Sequence, residues 1–232
     1  MGGEEVSELR AVVFDFDGLV LDTELCEYST TAAIFADRGV ELPLELWRTF
    51  IGTTDHPHWA DILEAKLGHT IDRAELVPRR RLANWQCARG LEPLPGVIEL
   101  MDGLAAAGIP IAVASSSPAD WVVAHLSERN LIDRFVTVCS GDEVRRTKPD
   151  PALYRLAVER LGVPAAGAVA IEDSVHGVAA ARAAGLTAVA VPSELTSGMD
   201  FSAADLVVTS CEALDVAVLV ELLAGLADGN GP

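Results

Sequence analysis

The chain has 232 residues, half of them hydrophobic, enough for one large domain or two modest ones. Its 17 basic and 35 acidic residues give a formal net charge of −18, which argues against a nucleic-acid partner held through its phosphates. An acidic protein that takes an anionic ligand must place positive charge locally, from a metal, a lysine or helix N-termini. The N-terminal Met1-Gly2-Gly3-Glu4-Glu5 has no basic or apolar leader region, and Val6 breaks the myristoylation pattern. No apolar run is long enough to cross a bilayer, so a soluble cytoplasmic protein is expected. Cys26, Cys87, Cys139 and Cys211 form no CxxC pair and are read as reduced, mostly buried packing thiols.

Residues 1 to 8 are acidic and expected to fray. Arg10 to Phe16 is the first predicted strand, and its Val12-Val13-Phe14 run reads as buried on both faces. Asp15 and Asp17, at i and i+2, should project together from its carboxyl end, where open α/β sheets bind ligands. Such a pair suits a hard cation such as Mg²⁺, or one acid can attack while the other handles protons. A bare Asp-x-Asp is otherwise a pair of solvated turn acids.

From Thr23 the pattern turns helical and Gly39 closes the first helix; Leu44 to Phe50, Trp59 to Leu67 and Asp72 to Arg89 also read as helices. No strand is predicted between Leu25 and Leu91, so a helical block of about seventy residues follows the first strand, far beyond an ordinary βα loop. It is read as an inserted helical cap, residues 22–91. The core then comprises residues 1–21 and 92–232. Extra helices packed permanently on the core would give the same pattern.

Glu92-Pro93-Leu94-Pro95-Gly96 marks the return to the core. Helices are predicted over Val97 to Ala107, Pro118 to Asn130, Pro151 to Leu161, Gly177 to Ala184 and Cys211 to Leu226. Strands are predicted over Ile109 to Ala114, Phe135 to Cys139, Ala168 to Ile171, Thr187 to Val191 and Leu206 to Thr209. This alternation implies an α/β, Rossmann-like, doubly wound and mostly parallel sheet. The Gly-Asn-Gly-Pro tail is expected to be loose.

Three further stretches carry chemistry. Ser115 ends a strand; its hydroxyl, the Ser116 N–H and the following helix N-terminus would cradle an anion, whereas Ser117 reads as the helix cap and Pro118 as its first residue. Lys148 lies in the basic run Arg145-Arg146-Thr147-Lys148, and Asp150 is read as a cap for the helix opening at Pro151. Glu172 and Asp173 end another apolar strand and converge only if the strand has finished there. Ser174 reads as a helix cap, His176 as loop structure, and Arg145 and Arg146 as surface charge.

The first stretch, Asp15-Phe16-Asp17-Gly18 continued by Asp22-Thr23-Glu24, resembles the first motif of the haloacid dehalogenase-like superfamily. Ser115, Lys148 before Pro149, and Glu172-Asp173 resemble its other three motifs, in order. The resemblance implies a Mg²⁺-dependent phosphatase of a small phosphorylated metabolite, a sugar phosphate by the subfamily's pattern, acting through an aspartyl-phosphate. It implies Asp15 as nucleophile, Asp17 as general acid/base, and Ser115, Ser116 and Lys148 on the phosphoryl group. The metal set would be Asp15, Asp17, Glu172 and Asp173, with Glu172 bound directly or through water. Gly52 to Trp59 looks like the cap loop over the site, with Thr53 and His56 as substrate contacts and His58 a further candidate. Trp59 and Trp85 are read as cap core, and Arg79 to Arg81 as a solvated helix face. β-Phosphoglucomutases share the arrangement, but Glu24-Leu25-Cys26-Glu27, Asp55 and Pro118 depart from their pattern, so a mutase is the alternative. A catalytically silent binding module is the second. A monomer without membrane or nucleic-acid partners is expected.

Overall fold

The computed structural model describes residues 8–227. The expectations for residues 1 to 7 and for the Gly-Asn-Gly-Pro tail lie outside the described residues. Six strands, β1 (Ala11–Phe14), β2 (Ile111–Ala114), β3 (Thr137–Cys139), β4 (Ala168–Glu172), β5 (Thr187–Ala190) and β6 (Leu206–Val207), form one sheet in the order β3-β2-β1-β4-β5-β6. Every pairing is parallel. The order reverses at β1, which pairs with β2 on one side and β4 on the other, so the ligand crevice of such a sheet falls at its carboxyl end.

The strands are apolar throughout, but side-chain size alternates between the faces. Val12, Phe14, Val113, Val169 and Ile171 join one cluster with α5 (Val97–Ala106), α6 (Ala119–Glu128) and α9 (Val216–Ala227). Ala11, Val13, Ala112, Ala114, Ala168 and Ala170 pack on the other face against α7 (Ala152–Leu161) and α8 (Val175–Ala184). Small side chains there let α7 and α8 approach the sheet closely. The predicted last helix is divided: Cys211–Ala213 is a 3₁₀ turn, and Asp215 restarts the chain by accepting from the Val218 N–H at 2.8 Å.

Between β1 and α5 lie α1 (Thr23–Ala36), α2 (Leu44–Arg48), α3 (Trp59–Leu67) and α4 (Arg73–Arg89). They enclose a third apolar cluster built on Phe35, Trp47, Trp59 and Leu63. Leu195 from the β5–β6 connection completes it, so the block is packed onto the sheet domain as well as on itself.

Two cysteines depart from the sequence reading. Cys26 in the first turn of α1 and Cys87 in the last turn of α4 form a disulfide, with Cα atoms 5.7 Å apart. Their 61-residue separation hid the pairing, which depends on how two distant helices align. Cys139 and Cys211 are free and buried, as expected. Non-reducing peptide mapping should recover a Cys26–Cys87 cross-linked peptide. Cys26→Ser should lower unfolding stability by about 2–4 kcal/mol under oxidising conditions, the usual range for such a loop. Free thiols at both positions in air-oxidised protein would refute the pairing.

Candidate functional site

Parallel pairing brings three strand ends to one place. The Asp15 N–H donates to the Ile171 carbonyl (2.9 Å) and the Ser115 N–H to the Cys139 carbonyl (3.0 Å), so both residues sit just beyond the ladder. β4 finishes at Glu172. Asp173 therefore leaves the strand's alternation, and it shares a cluster with Glu172 and Asp15 whose ligand atoms all lie within 4.8 Å of one another. All three residues are buried.

Lys148 enters from the segment before α7 and is 1 % exposed. Its Nζ donates to Asp15 Oδ1 and, at 2.5 Å, to Glu172 Oε1. Glu172 is fully engaged: Tyr154 Oη also donates to Oε1, and the Ser174 hydroxyl (3.0 Å) and N–H (3.3 Å) donate to Oε2. Both carboxylate oxygens of Asp173, by contrast, are buried without a hydrogen-bond partner among the described residues. Unpaired buried oxygens of this kind are costly unless protonated or bound to a cation. Three carboxylates against one ammonium fit a divalent ion of hard, oxygen-seeking character, with Asp15 and Asp173 offering free donor capacity and Glu172 already committed to Lys148. Without such an ion, burial pushes the Asp15 carboxyl up to about 8, Lys148 opposing and Glu172 and Asp17 assisting. Burial likewise holds Asp173 well above the carboxylate range. For Lys148, burial works against the ammonium, but Asp15 and Glu172 outweigh it and raise its pKa.

Gly18 is what allows Asp173 into this space. Its φ is +84°, and a Cβ there would stand 2.2 Å from Asp173 Oδ2. Any side chain would be both strained and in collision.

Asp17 lies in the same crevice but not among the three clustered acids. β1 ends at Phe14, so the i, i+2 rule no longer holds across Phe16 and Gly18. Asp17 Oδ1 accepts from Thr23 Oγ1 (2.6 Å) and Trp121 Nε1 (2.8 Å). Asp17 Oδ2 accepts from Ser115 Oγ (3.0 Å) and Ser117 Oγ (2.7 Å). The side chain expected among the metal ligands is thus saturated by four neutral donors. Ser117 does not cap α6, since Pro118 holds that position and the Ser117 hydroxyl is spent on Asp17. Ser116 faces the helical block, its hydroxyl donating to the Gly52 carbonyl at 3.0 Å. Ser174 caps α8 by accepting from the Gly177 N–H. His176 lies in the first turn of α8 rather than in a loop, its Nδ1 2.9 Å from the Ile51 carbonyl oxygen.

The helical block roofs the strand ends over a cavity of about 400 Å³. Thr53 and His56 line its edge; Thr53 is buried with Oγ1 accepting from the Asp55 N–H, and His56 stacks on Phe50 at 4.6 Å. Thr54 meets Thr147 across the boundary, Oγ1 to Oγ1 at 2.8 Å. Val77, Arg80, Arg81, Asn84 and Trp85 line the cavity from α4. The solvated-face reading of the arginines holds for Arg79 but not for Arg80, which is mostly buried and bonded to Glu27 and Thr31. Trp59 is buried in the block's apolar cluster. Trp85 instead reaches Trp121 of α6. Sequence reasoning gave no role to Trp121, Asn84 or Thr23 and assigned Arg80 to a solvated face. The i, i+3/i+4 spacing along α4 was the available signal for two of these.

A family model described as haloacid dehalogenase-like hydrolase matches residues 12–191. The protein YhcW of Bacillus subtilis is 37 % identical over 215 residues, covering 93 % of this chain and 98 % of its own. The phosphorylated carbohydrates phosphatase of Thermotoga maritima is 31 % identical, covering 77 % and 82 %. The crystal structure of CbbY from Rhodobacter sphaeroides in complex with phosphate superposes with a TM-score of 0.71 at 29 % identity, covering 90 % of this chain and 98 % of that one. A variant of the same CbbY has been solved with xylulose-(1,5)bisphosphate.

The acidic cluster sets a pH dependence. Between the ordinary carboxylate value near 4 and the Asp15 value of about 8, the metal-free folded state holds protons the unfolded chain has lost, so its stability falls as pH rises. A divalent cation removes that penalty. The rise in melting temperature on adding Mg²⁺ should therefore be larger at pH 8 than at pH 5. An equal rise at both, or none, would exclude the cluster as the cation site.

Proposed function

Because the chain belongs to the haloacid dehalogenase-like hydrolases, we propose that it is a Mg²⁺-dependent phosphatase that cleaves a small phosphorylated sugar or polyol through an aspartyl-phosphate. The observation that carries this reading is the pairing of one buried Lys148–Asp15–Glu172 set with the unpartnered Asp173 oxygens, beside a separately held Asp17. Such a site offers an activated carboxylate, local positive charge and a second acid within one crevice. Residues 22–91 form the cap in this account, and the core is 1–21 with 92–232.

Asp15 attacks phosphorus in line, and the bond from phosphorus to the substrate oxygen breaks. Asp17 gives that oxygen its proton. Asp17 then takes a proton from water as the water attacks phosphorus, which releases inorganic phosphate and restores Asp15. Lys148 holds the attacking carboxylate and offsets its repulsion with the phosphate. Ser115 and the Ser116 N–H, at the β2 end, bind the transferring group. Mg²⁺, when held by Asp15 and Asp173 with Glu172 behind, supplies further charge against the phosphoryl oxygens. The Asp17 side chain serves proton transfer rather than metal binding.

Two features support a hydroxylated leaving group. Trp47 and Asn84 line the cavity, and their buried Nε1 and Oδ1, one a donor and the other an acceptor, have no hydrogen-bond partner among the described residues. A sugar hydroxyl serves both roles. Thr53 and His56 at the cavity edge are further contacts. The sugar-phosphate associations of the Thermotoga and CbbY relatives agree in class. The phosphatase reading is preferred to the mutase because Arg80, the more buried of the two cavity arginines, is already paired with Glu27. In this reading the enzyme acts in the cytoplasm, as a monomer, on free metabolites. The described residues contain no helix long and apolar enough to cross a membrane. The Cys26–Cys87 bond is unusual for that compartment.

A metabolite screen for Mg²⁺-dependent phosphate release tests the activity, and product analysis with a sugar 1-phosphate and its bisphosphate separates phosphatase from mutase. Asp15→Asn should abolish turnover, and Asp17→Asn should lower it about a hundredfold or more, the scale of general acid–base catalysis. Full activity in Asp15→Asn would reject the nucleophile. Asn84→Ala should raise KM for the best sugar phosphate about five- to tenfold, the worth of one or two hydrogen bonds. An unchanged KM would remove Asn84 from the substrate site.

A further inference from the structure

Trp121 has no role in the chemistry described so far, yet it is one of four donors on the Asp17 carboxylate. The other three are hydroxyls, from Thr23, Ser115 and Ser117. A hydroxyl rotates and can donate or accept; an indole N–H only donates, and its direction is set by the ring. Trp121 is therefore the donor whose direction toward the Asp17 carboxylate is set by a ring rather than by a rotatable hydroxyl.

The ring is in turn held from two sides. His125, one turn along α6, meets it edge-on with centroids 4.2 Å apart. Trp85 approaches from α4, with centroids 4.9 Å apart and planes at 79°. Trp85 also lies on His125 at 4.7 Å. Edge-to-face pairs of this kind have a preferred geometry that resists rotation of either ring. Two of the three rings belong to the core and one to the cap. The cap thus ends in a ring that touches the ring that touches Asp17.

We propose that Trp121 is a positioning residue for Asp17, and that Trp85 makes this positioning depend on the cap being closed. The inference rests on Asp17 acting as the general acid/base. Proton delivery requires the carboxyl group within hydrogen-bond reach of the leaving oxygen in a defined direction. With the cap in place, the Trp85–His125–Trp121 packing fixes the indole and the indole fixes Asp17. With the cap displaced, Trp121 loses its neighbour from α4, and the indole no longer fixes the carboxylate, which keeps only its hydroxyl donors. Acid–base chemistry would then be available only in the closed, water-excluding state.

A general acid matters most when the leaving group is a poor one. The test is a series of aryl phosphates graded from p-nitrophenyl to phenyl and p-methoxyphenyl phosphate, with KM and kcat resolved. Trp121→Phe keeps a ring for Trp85 and His125 but removes the N–H. It should lower kcat on phenyl phosphate about tenfold or more, a part of the full acid–base effect, while p-nitrophenyl phosphate loses less than about twofold and KM stays within twofold for both. Trp85→Ala should reproduce the leaving-group-dependent loss, and Trp85→Phe should restore most of it. If Trp121→Phe does not fold, benzothienylalanine at position 121 gives the same comparison, as it keeps the shape and lacks the donor.

Asp17→Asn is measured in parallel. If its loss does not grow as the leaving group worsens, the acid/base assignment itself fails. If it does grow while the Trp121 variants lose activity evenly or not at all, only the positioning inference is overturned. A leaving-group-dependent loss at Trp121 with none at Trp85→Ala would overturn the dependence on the cap.

Discussion

The structure turns on a charge problem: Asp15, Glu172 and Asp173 are buried within reach of one another, and among the described residues Lys148 is the one cation paired with them. A burial of this kind is expensive, and removing a single partner from it costs more than the pair itself is worth. The parallel sheet makes the cluster unavoidable, because β1 and β4 pair in register and each ends in acids. Its remaining excess of negative charge falls on Asp173, whose oxygens find no donor. That excess gives an acidic protein a local reason to bind a divalent cation and, through it, an anion.

Much of the surrounding architecture keeps this cluster dry and closely spaced. Alanines on one face of β1, β2 and β4 bring α7 and α8 close, and Tyr154 of α7 reaches Glu172 as a result. Glycine at 18 and at 177 leaves space for the carboxylates; a Cβ at Gly177 would lie 1.9 Å from Glu172 Cδ. On the opposite side of the crevice Asp17 is held by neutral donors. Two acids two residues apart thus occupy contrasting environments, one among charges and one among hydroxyls and an indole. This contrast is what the proposed division of labour, one acid attacking and the other moving protons, would draw on.

The alternation of strands and helices was legible because period and punctuation are local properties of the chain. So was the meeting of Asp15 with Glu172 and Asp173, which follows from parallel strands ending together. The orientation of Asp17 was not, because the strand stops at Phe14 and the chain turns at Gly18 before the period-2 rule can be applied. Ser117 was misread for a related reason: a cap and an inward donor use the same residue type, and only the tertiary position of Asp17 decides between them. Trp121, Arg80 and the Cys26–Cys87 bond depend on how α1, α4 and α6 dock, which no single-helix pattern encodes. The missed residues therefore lie at helix–helix contacts, within the helical block where α1 meets α4 and between that block and α6.

The most direct test of the central claim is an anomalous difference map from a crystal of the wild-type protein soaked in Mn²⁺. A single strong peak within coordination distance of the Asp15 and Asp173 carboxylates, with Lys148 beside Asp15, is the predicted result. No peak at the cluster, in crystals that bind Mn²⁺ elsewhere, would contradict the account at its foundation.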